Sequence, residues 1–401
     1  MNKRFQKGLA VSALAAMVVA PFAQPVFAVT AGDNGLTPVP NDDKTLVLKK
    51  ELVVRDLDDA SYTPEVPDVT FTYTMSNGTD GTFTSKQKDK TDQIFQVKGG
   101  TNADAIKVNG TAKSGIVEFS ESDDASSGKA TENISLDFSA LTFDAAGIYR
   151  YVITESDYTT QDGNDYSKAL PQTTEDKTRN IDVYVEDDGT GTFVVKGYVV
   201  SKTDTSEGKE SGFTEEKTAD GQDVDSKKRS VYSTYDITLE KKVSGAKDNN
   251  AGYTFVLTLP TDTNGTYKFQ KNTDAATTVE TTDTYTYTVP LKKNDKIKLQ
   301  GLPVGHVVTV TENKIDGFAT PDITVDGTAK SMTESGSTWV NSTDVKDNGT
   351  KNDATDVVVT NKSDSILPPT GILMTIAPFA AMVGLGAALI ALFAKKRKNE
   401  A

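Results

Sequence analysis

The sequence predicts an all-β chain built from β-sandwich domains in tandem, and three observations predict it. Apolar or aromatic residues alternate with Thr in Val69-Thr70-Phe71-Thr72-Tyr73-Thr74-Met75 and Tyr285-Thr286-Tyr287-Thr288-Val289, and a similar period runs through Ile181-Asp182-Val183-Tyr184-Val185. A period of two turns one set inward and the other outward, as in a half-buried strand. Turn residues punctuate these runs at Asp187-Asp188-Gly189, Asn264-Gly265, Asp326-Gly327 and Asn348-Gly349. Many short strands separated by such turns pack as sandwiches. Third, two blocks of the chain read alike. The first has Leu46-Val47-Leu48-Lys49-Lys50-Glu51-Leu52, then Phe71-Thr72-Tyr73, then Ile148 to Glu155. The second has Ile237-Thr238-Leu239-Glu240-Lys241-Lys242-Val243, then Phe255-Val256-Leu257, then Val307 to Glu312.

Taken in order, the first element is an address. Lys3, Arg4 and Lys7 precede an apolar run from Leu9 to Phe22, and Val26-Phe27-Ala28 supplies small residues at the cleavage positions. This is the pattern of a secretory signal peptide over 1–28, cut after Ala28. A first domain follows over 29–233. Its stretch Asp204–Lys228 is polar, charged and Gly-bearing, and reads as a long loop. The boundary is placed near Tyr232–Tyr235, and a second domain runs over 234–366.

The last element, 367–401, is the most specific. Leu367-Pro368-Pro369-Thr370-Gly371 precedes an apolar stretch over 372–394, then Lys395, Lys396, Arg397 and Lys398. As a helix the stretch would span ~35 Å, enough for a bilayer core. The basic tail stays cytoplasmic by the positive-inside rule. Motif, transmembrane segment and basic tail in this order resemble an LPxTG cell-wall sorting signal of Gram-positive bacteria. The resemblance implies sortase cleavage between Thr370 and Gly371 and transfer of the Thr370 carbonyl to an amine.

Composition narrows the chemistry. The 401 residues carry 43 Lys+Arg against 57 Asp+Glu, a formal net charge of −14, with one His and no Cys. Removing both terminal signals takes seven basic residues and Glu400, which leaves 36 basic and 56 acidic over 29–370. So acidic a chain is no binder of a phosphate backbone, and no nucleic-acid partner is expected. Without Cys there are no disulfides, thiolate metal sites or Cys nucleophiles. His306 is the only residue that could serve a Ser-His-Asp triad; it follows Gly305 in a loop expected to be exposed. Glu186-Asp187-Asp188-Gly189 lacks EF-hand spacing and reads as a hairpin turn. No cofactor, no metal and no enzyme activity on an external substrate are expected.

Three polar residues stand where apolar ones belong. Lys241 shares its strand face with Ile237 and Leu239, Glu312 with Val308 and Val310, and Asn361 with Val357 and Val359. Buried unpaired, each would cost several kcal/mol, so they are expected to meet. Burial lowers a Lys pKa and raises a Glu pKa. A neutral amine beside a carboxamide, with a carboxyl group shuttling protons, can form an amide and expel ammonia. Spacing alone favours an ordinary surface salt bridge, with Asn361 in a turn.

Several motifs decide between the two. Lys241-Lys242-Val243-Ser244-Gly245, Leu302-Pro303-Val304-Gly305, Val310-Thr311-Glu312, Val359-Thr360-Asn361-Lys362 and Met374-Thr375-Ile376-Ala377-Pro378 resemble the major pilins of sortase-assembled Gram-positive pili, the T-antigen-type shaft subunits. The first domain matches more thinly, through Tyr149 to Glu155 and Lys50. The resemblance implies tandem Ig-like β-sandwich domains, each with a Lys–Asn isopeptide bond promoted by a Glu. In the second domain the set is Lys241, Glu312 and Asn361; in the first, Lys50 and Glu155. Lys49 is the runner-up to Lys50 but lies on the opposite phase from Leu46 and Leu48. Where the family places the first domain's Asn, this sequence has Ser233, and Asn180 is the substitute considered. Serine offers no carboxamide, so the first domain is expected to lack its bond.

The resemblance further implies a structural shaft subunit of a covalently polymerised pilus, supporting adhesion, and autocatalytic only in its own cross-link. Lys227 and Lys228 are the candidates for the acceptor amine. The implied partners are a pilin sortase, a housekeeping sortase, other copies of the chain, peptidoglycan, and host ligands reached through tip pilins. The implied location is the cell wall, with covalent anchoring to peptidoglycan. The rival expectation is a monomeric wall-anchored adhesin of the same domains.

Overall fold

A computed structural model describes residues 36–38, 44–85, 91–160, 165–205, 209–214, 230–245, 252–259, 266–280, 286–341, 345–347 and 353–363. The signal peptide with Ala28, the candidate lysines Lys227 and Lys228, and the sorting signal from Leu367 through Gly371 to the apolar stretch lie outside them. Among the described residues no helix is long and apolar enough to cross a membrane.

The fold is nearly all β, as the alternation predicts, with a single 3-10 turn at Ala103–Ala105 among the described residues. Two large hydrophobic cores divide it, and a small third cluster of Phe83, Val97, Ile148, Tyr184 and Val199 lies on strands of the first half. The first core lies between two sheets. One orders Phe193–Ser201, Thr178–Asp187, Gly147–Glu155 and Val69–Asn77 as neighbours. In the other, Thr45–Asp56 pairs antiparallel with Lys129–Asp137. Phe71, Tyr73, Phe119, Phe138, Tyr151 and Ile153 fill the space between. The second core has the same plan. Val231–Ser244 runs between Lys296–Pro303 and Thr355–Lys362 in one sheet. Tyr253–Thr258 runs between Thr286–Leu291 and Thr309–Asn313 in the other.

Two of the three expected alternations appear in the burial; the third, Ile181–Val185, is buried on both faces, because Asp182 pairs with Arg150 and Tyr184 packs with Phe83, Val97, Ile148 and Val199. Along Val69–Asn77 the residues Val69, Phe71, Tyr73 and Met75 are buried, and the Thr residues between them are partly exposed. The segment expected to be a turn at Asp187-Asp188-Gly189 is one, joining two antiparallel strands. The Asp188 carboxylate accepts the amides of Thr190 and Thr192 there.

Two expectations need correction. The stretch from Asp204 is not all loop: Gly212–Phe213 pairs in parallel with Thr45–Asp56, and Phe213 is buried in the first core. Gly212 permits this approach, since a Cβ there would lie 2.3 Å from the Lys49 carbonyl oxygen. His306 is buried rather than exposed. Its Nε2 lies 2.9 Å from the Asp165 carbonyl oxygen, across the contact between the two domains. Trp339 is half-buried at the rim of the second core, with the Lys314 ammonium 4.8 Å from its ring centre.

One strand joins the two halves. Val231–Thr234 adds in parallel to Thr45–Asp56, and Ile237–Ser244 adds in parallel to Thr355–Lys362. The 14 residues of Val231–Ser244 therefore close the first sandwich and open the second. Around its midpoint the domains touch. The Asp58 carboxylate accepts the Asp236 amide at 2.8 Å, and within the second domain the Tyr235 hydroxyl donates to the carbonyl of His306, whose ring reaches across to Asp165. Gln300 donates to Asp59 at 3.1 Å.

The junction is acidic. Asp236 is fully buried, with Asp56 close by and Lys298 paired to it at 2.8 Å. Burial first, then the Asp56 charge, pushes its carboxyl up to about 6. A raised carboxyl pKa gives stability that is complete below about 4 and lost as pH rises through about 6. Asp236→Asn should remove this dependence. Its melting temperature relative to the parent should be higher at pH 7 than at pH 5, by the equivalent of about 1 kcal/mol. Equal differences at both pH values in thermal melts would refute the assignment.

Candidate functional site

The site grows from the strand geometry of the second domain. Ile237, Leu239 and Lys241 face inward from one strand, and Val308, Val310 and Glu312 from the strand across the core. Val357, Val359 and Asn361 face inward from the last strand. The parallel pairing sets Lys241 opposite Val359 and Val243 opposite Asn361. Asn361 thus lies one inward step beyond Lys241 on the neighbouring strand.

The three polar groups meet. Lys241 Nζ donates to Glu312 Oε1 at 3.1 Å and to the Asn361 side-chain oxygen. Asn361 Nδ2 donates to Glu312 Oε1 at 2.7 Å. Lys241 and Glu312 are fully buried and Asn361 is 2% exposed. The rings of Tyr253 and Phe255 wall the amine at 4.2 and 5.4 Å from their centres. Burial lowers the Lys241 pKa to about 8, against the opposing pull of Glu312. Burial likewise raises the Glu312 carboxyl. Both shifts favour the neutral amine and the protonated acid.

This arrangement can form an amide. The Lys241 nitrogen is held against the carboxamide, and Glu312 touches both the attacking and the leaving nitrogen. It is placed to give its proton to Nδ2 and take one from Nζ. The amine bonds to the carboxamide carbon, the C–Nδ2 bond breaks, and ammonia leaves.

The first domain repeats two of the three groups. Lys50 is buried and Lys49 exposed, as the phase predicts. Lys50 Nζ lies 2.9 Å from Glu155 Oε2, with Phe71 beneath it at 4.3 Å from the ring centre. Tyr73 donates its hydroxyl to the same Glu155 oxygen at 2.5 Å. The third partner differs from the one expected. Lys50 Nζ donates to Ser230 Oγ at 2.8 Å. Ser233 instead accepts the Arg55 Nε at 3.1 Å, and Asn180 donates to Asp204 at 3.3 Å. Spacing from the next Lys could not find Ser230, because the parallel register decides which residue faces Lys50.

A buried pair that sequence reasoning missed supports this domain. Arg150 donates from Nε to Asp182 Oδ1 at 2.7 Å and from its terminal nitrogen to Oδ2 at 2.8 Å. The signal was available: Arg150 and Asp182 are charged residues within strand runs.

Residues 46–218 match the family described as the Spy0128-like isopeptide containing domain. A curated pilin of Streptococcus pyogenes serotype M1 is 28% identical over 327 residues, covering 77% of this chain and 85% of that protein. Residues 46–218 carry a domain of the FctA-like kind, and over most of its length the chain is similar to a pilin. Residues 235–363 of the chain match a family described only as a domain of unknown function. The crystal structure of a single-residue variant of the S. pyogenes major pilin is similar, with TM-score 0.51 and 18% identity. The match covers 80% of this chain and 99% of that one, and at this identity the likeness is one of fold. The S. pyogenes major pilin T-13 has TM-score 0.49 and 22% identity, over 82% of this chain and 100% of that one.

Proposed function

We propose that the chain is the shaft subunit of a covalently polymerised cell-surface pilus. The observation that carries the reading is the buried meeting of Lys241, Glu312 and Asn361 between the first and last strands of the second domain. There an isopeptide bond from Lys241 to Asn361, promoted by Glu312, ties the domain's two ends together. The chain acts on no external substrate; its chemistry is this internal bond and its service as a sortase substrate. The domain division at 233/234 fits the reading, since the junction strand changes partners between Thr234 and Ile237.

A sortase cuts Leu367-Pro368-Pro369-Thr370-Gly371 after Thr370 and joins Thr370 to a lysine of the next copy. Lys227 and Lys228 are the candidates, since they immediately precede the junction strand. A housekeeping sortase then attaches the fibre to peptidoglycan, which puts the protein on the cell wall and lets tip pilins reach host ligands. The test is a denaturing gel of wall extracts. A ladder of high-mass species is expected, collapsing to one band with Thr370→Ala. A single band in the parent strain would mean a monomeric wall-anchored adhesin and overturn the shaft reading. Lys227→Ala with Lys228→Ala should abolish the ladder while leaving the monomer folded. A ladder unaltered in that double variant would exclude both lysines.

A further inference from the structure

The two domains hold the same lysine–glutamate pair and differ at one position. In the second domain the acyl donor Asn361 pairs with Val243, two residues after Lys241. In the first, Val231 pairs with Val53 in the same parallel sense, so Ser230 stands beside Leu52, two residues after Lys50. The Val53 amide donating to the Ser230 carbonyl at 3.0 Å fixes this register. Ser230 is therefore the positional counterpart of Asn361. Its side chain is 2% exposed and points at the amine.

The chemistry of the counterpart is decisive. A serine Oγ sits one bond from Cβ, as the carboxamide carbon of an asparagine does. The Ser230 Oγ is 2.8 Å from Lys50 Nζ, so the amine already stands at near-attack distance from the place where an acyl carbon would be. A hydroxyl on a saturated carbon offers no carbonyl to attack and no amide nitrogen to expel. Glu155 is in place, 2.9 Å from the amine. Among the described residues no carboxamide contacts Lys50.

We propose that the first domain is a cross-linking site complete except for its acyl donor, held open by Ser230. Native, it is the unlinked half of the subunit, free to unfold and refold where the second domain is tied. Ser230→Asn alone should arm it. The Lys50 amine then attacks the new carboxamide carbon, Glu155 passes a proton from the attacking to the departing nitrogen, and one ammonia leaves. Ser230→Asp should form the same amide with loss of water.

This inference deepens the isopeptide reading of the second domain, and one spectrum separates the two. Intact mass of residues 29–370 reports the second domain through the deficit in the parent chain, and the first through the increment in the variants. We expect Ser230→Asn to add a loss of one ammonia and Ser230→Asp a loss of one water. Both increments should vanish when Lys50→Met is added, and a peptide joining Lys50 to residue 230 should appear after trypsin. A link to Lys50 in the parent chain overturns the proposal, as does failure of both Ser230 variants to gain one. Whether or not the parent shows the second-domain deficit leaves this outcome unchanged.

Discussion

Residues 29–370 should weigh one ammonia less than their sequence mass, and Lys241→Met or Glu312→Gln should restore it. The expectation follows from positions on the page. Lys241 Nζ, Glu312 and Asn361 share a dry chamber walled by Tyr253 and Phe255, with burial favouring the free amine. Glu312→Gln is the sharper variant. It keeps the amine and the carboxamide in place but removes the group that moves protons between them. The unlinked product should then melt far lower. The bond would close a loop of 120 residues. Treated as a chain cross-link, it removes about 5 kcal/mol of unfolded-state entropy. For a domain of this size that corresponds to about 20 °C in the second domain's melting temperature. A parent chain at full sequence mass would sink the isopeptide reading. A deficit that survives Glu312→Gln would remove the glutamate from the chemistry while sparing the bond.

The second-domain site was legible because polar residues broke an apolar phase. Lys241, Glu312 and Asn361 each fall two residues after a buried aliphatic, which suggested that they meet, although the choice against a surface salt bridge came from the family motifs and not from the spacing. Lys50 and Glu155 were legible for the same reason. Their third partner was not. Period-two reading says which face a residue takes but not where one strand enters alongside another. The offset between Ser233 and Ser230 is set by the parallel pairing of Val231 with Val53. His306 shows a different limit. The single histidine follows a glycine in a loop, and only the docking of the domains buries it against Asp165. Phe213 was hidden inside a polar stretch, where one aromatic among many charges carried too little weight. The family resemblance was likewise uneven. Its densest motifs lie in the second domain, yet the first is the one matched by the isopeptide-containing family. That domain keeps the lysine and glutamate but has a serine at the acyl-donor position.

An unlinked first domain must hold together by ordinary forces, which makes its buried ion pair unusually exposed to test. Arg150 is 5% exposed and Asp182 fully buried, and their contact is two-pronged. The arginine also reaches Asp204, and its carbonyl accepts the amides of Gly78 at 3.0 Å and Gly100 at 2.7 Å. Removing Asp182 leaves the buried guanidinium with only the exposed Asp204 carboxylate as counter-charge, which costs about 3 kcal/mol. Asp182→Ala should therefore lower the first domain's melting temperature by about 10 °C and leave the second domain's transition in place. Replacing both partners with apolar residues, Arg150→Met with Asp182→Leu, should cost less than the single change, because no charge is left buried. Calorimetry of the parent, the single and the double variants checks both statements. If Asp182→Ala moves the first transition by less than the double replacement, the stranded-charge account is wrong. The same variants in a Ser230→Asn background carry the argument one step further. Once Lys50 is tied to the last strand, the unfolded chain has less freedom to gain, and the Asp182→Ala chain should recover part of its lost melting temperature without regaining the ion pair.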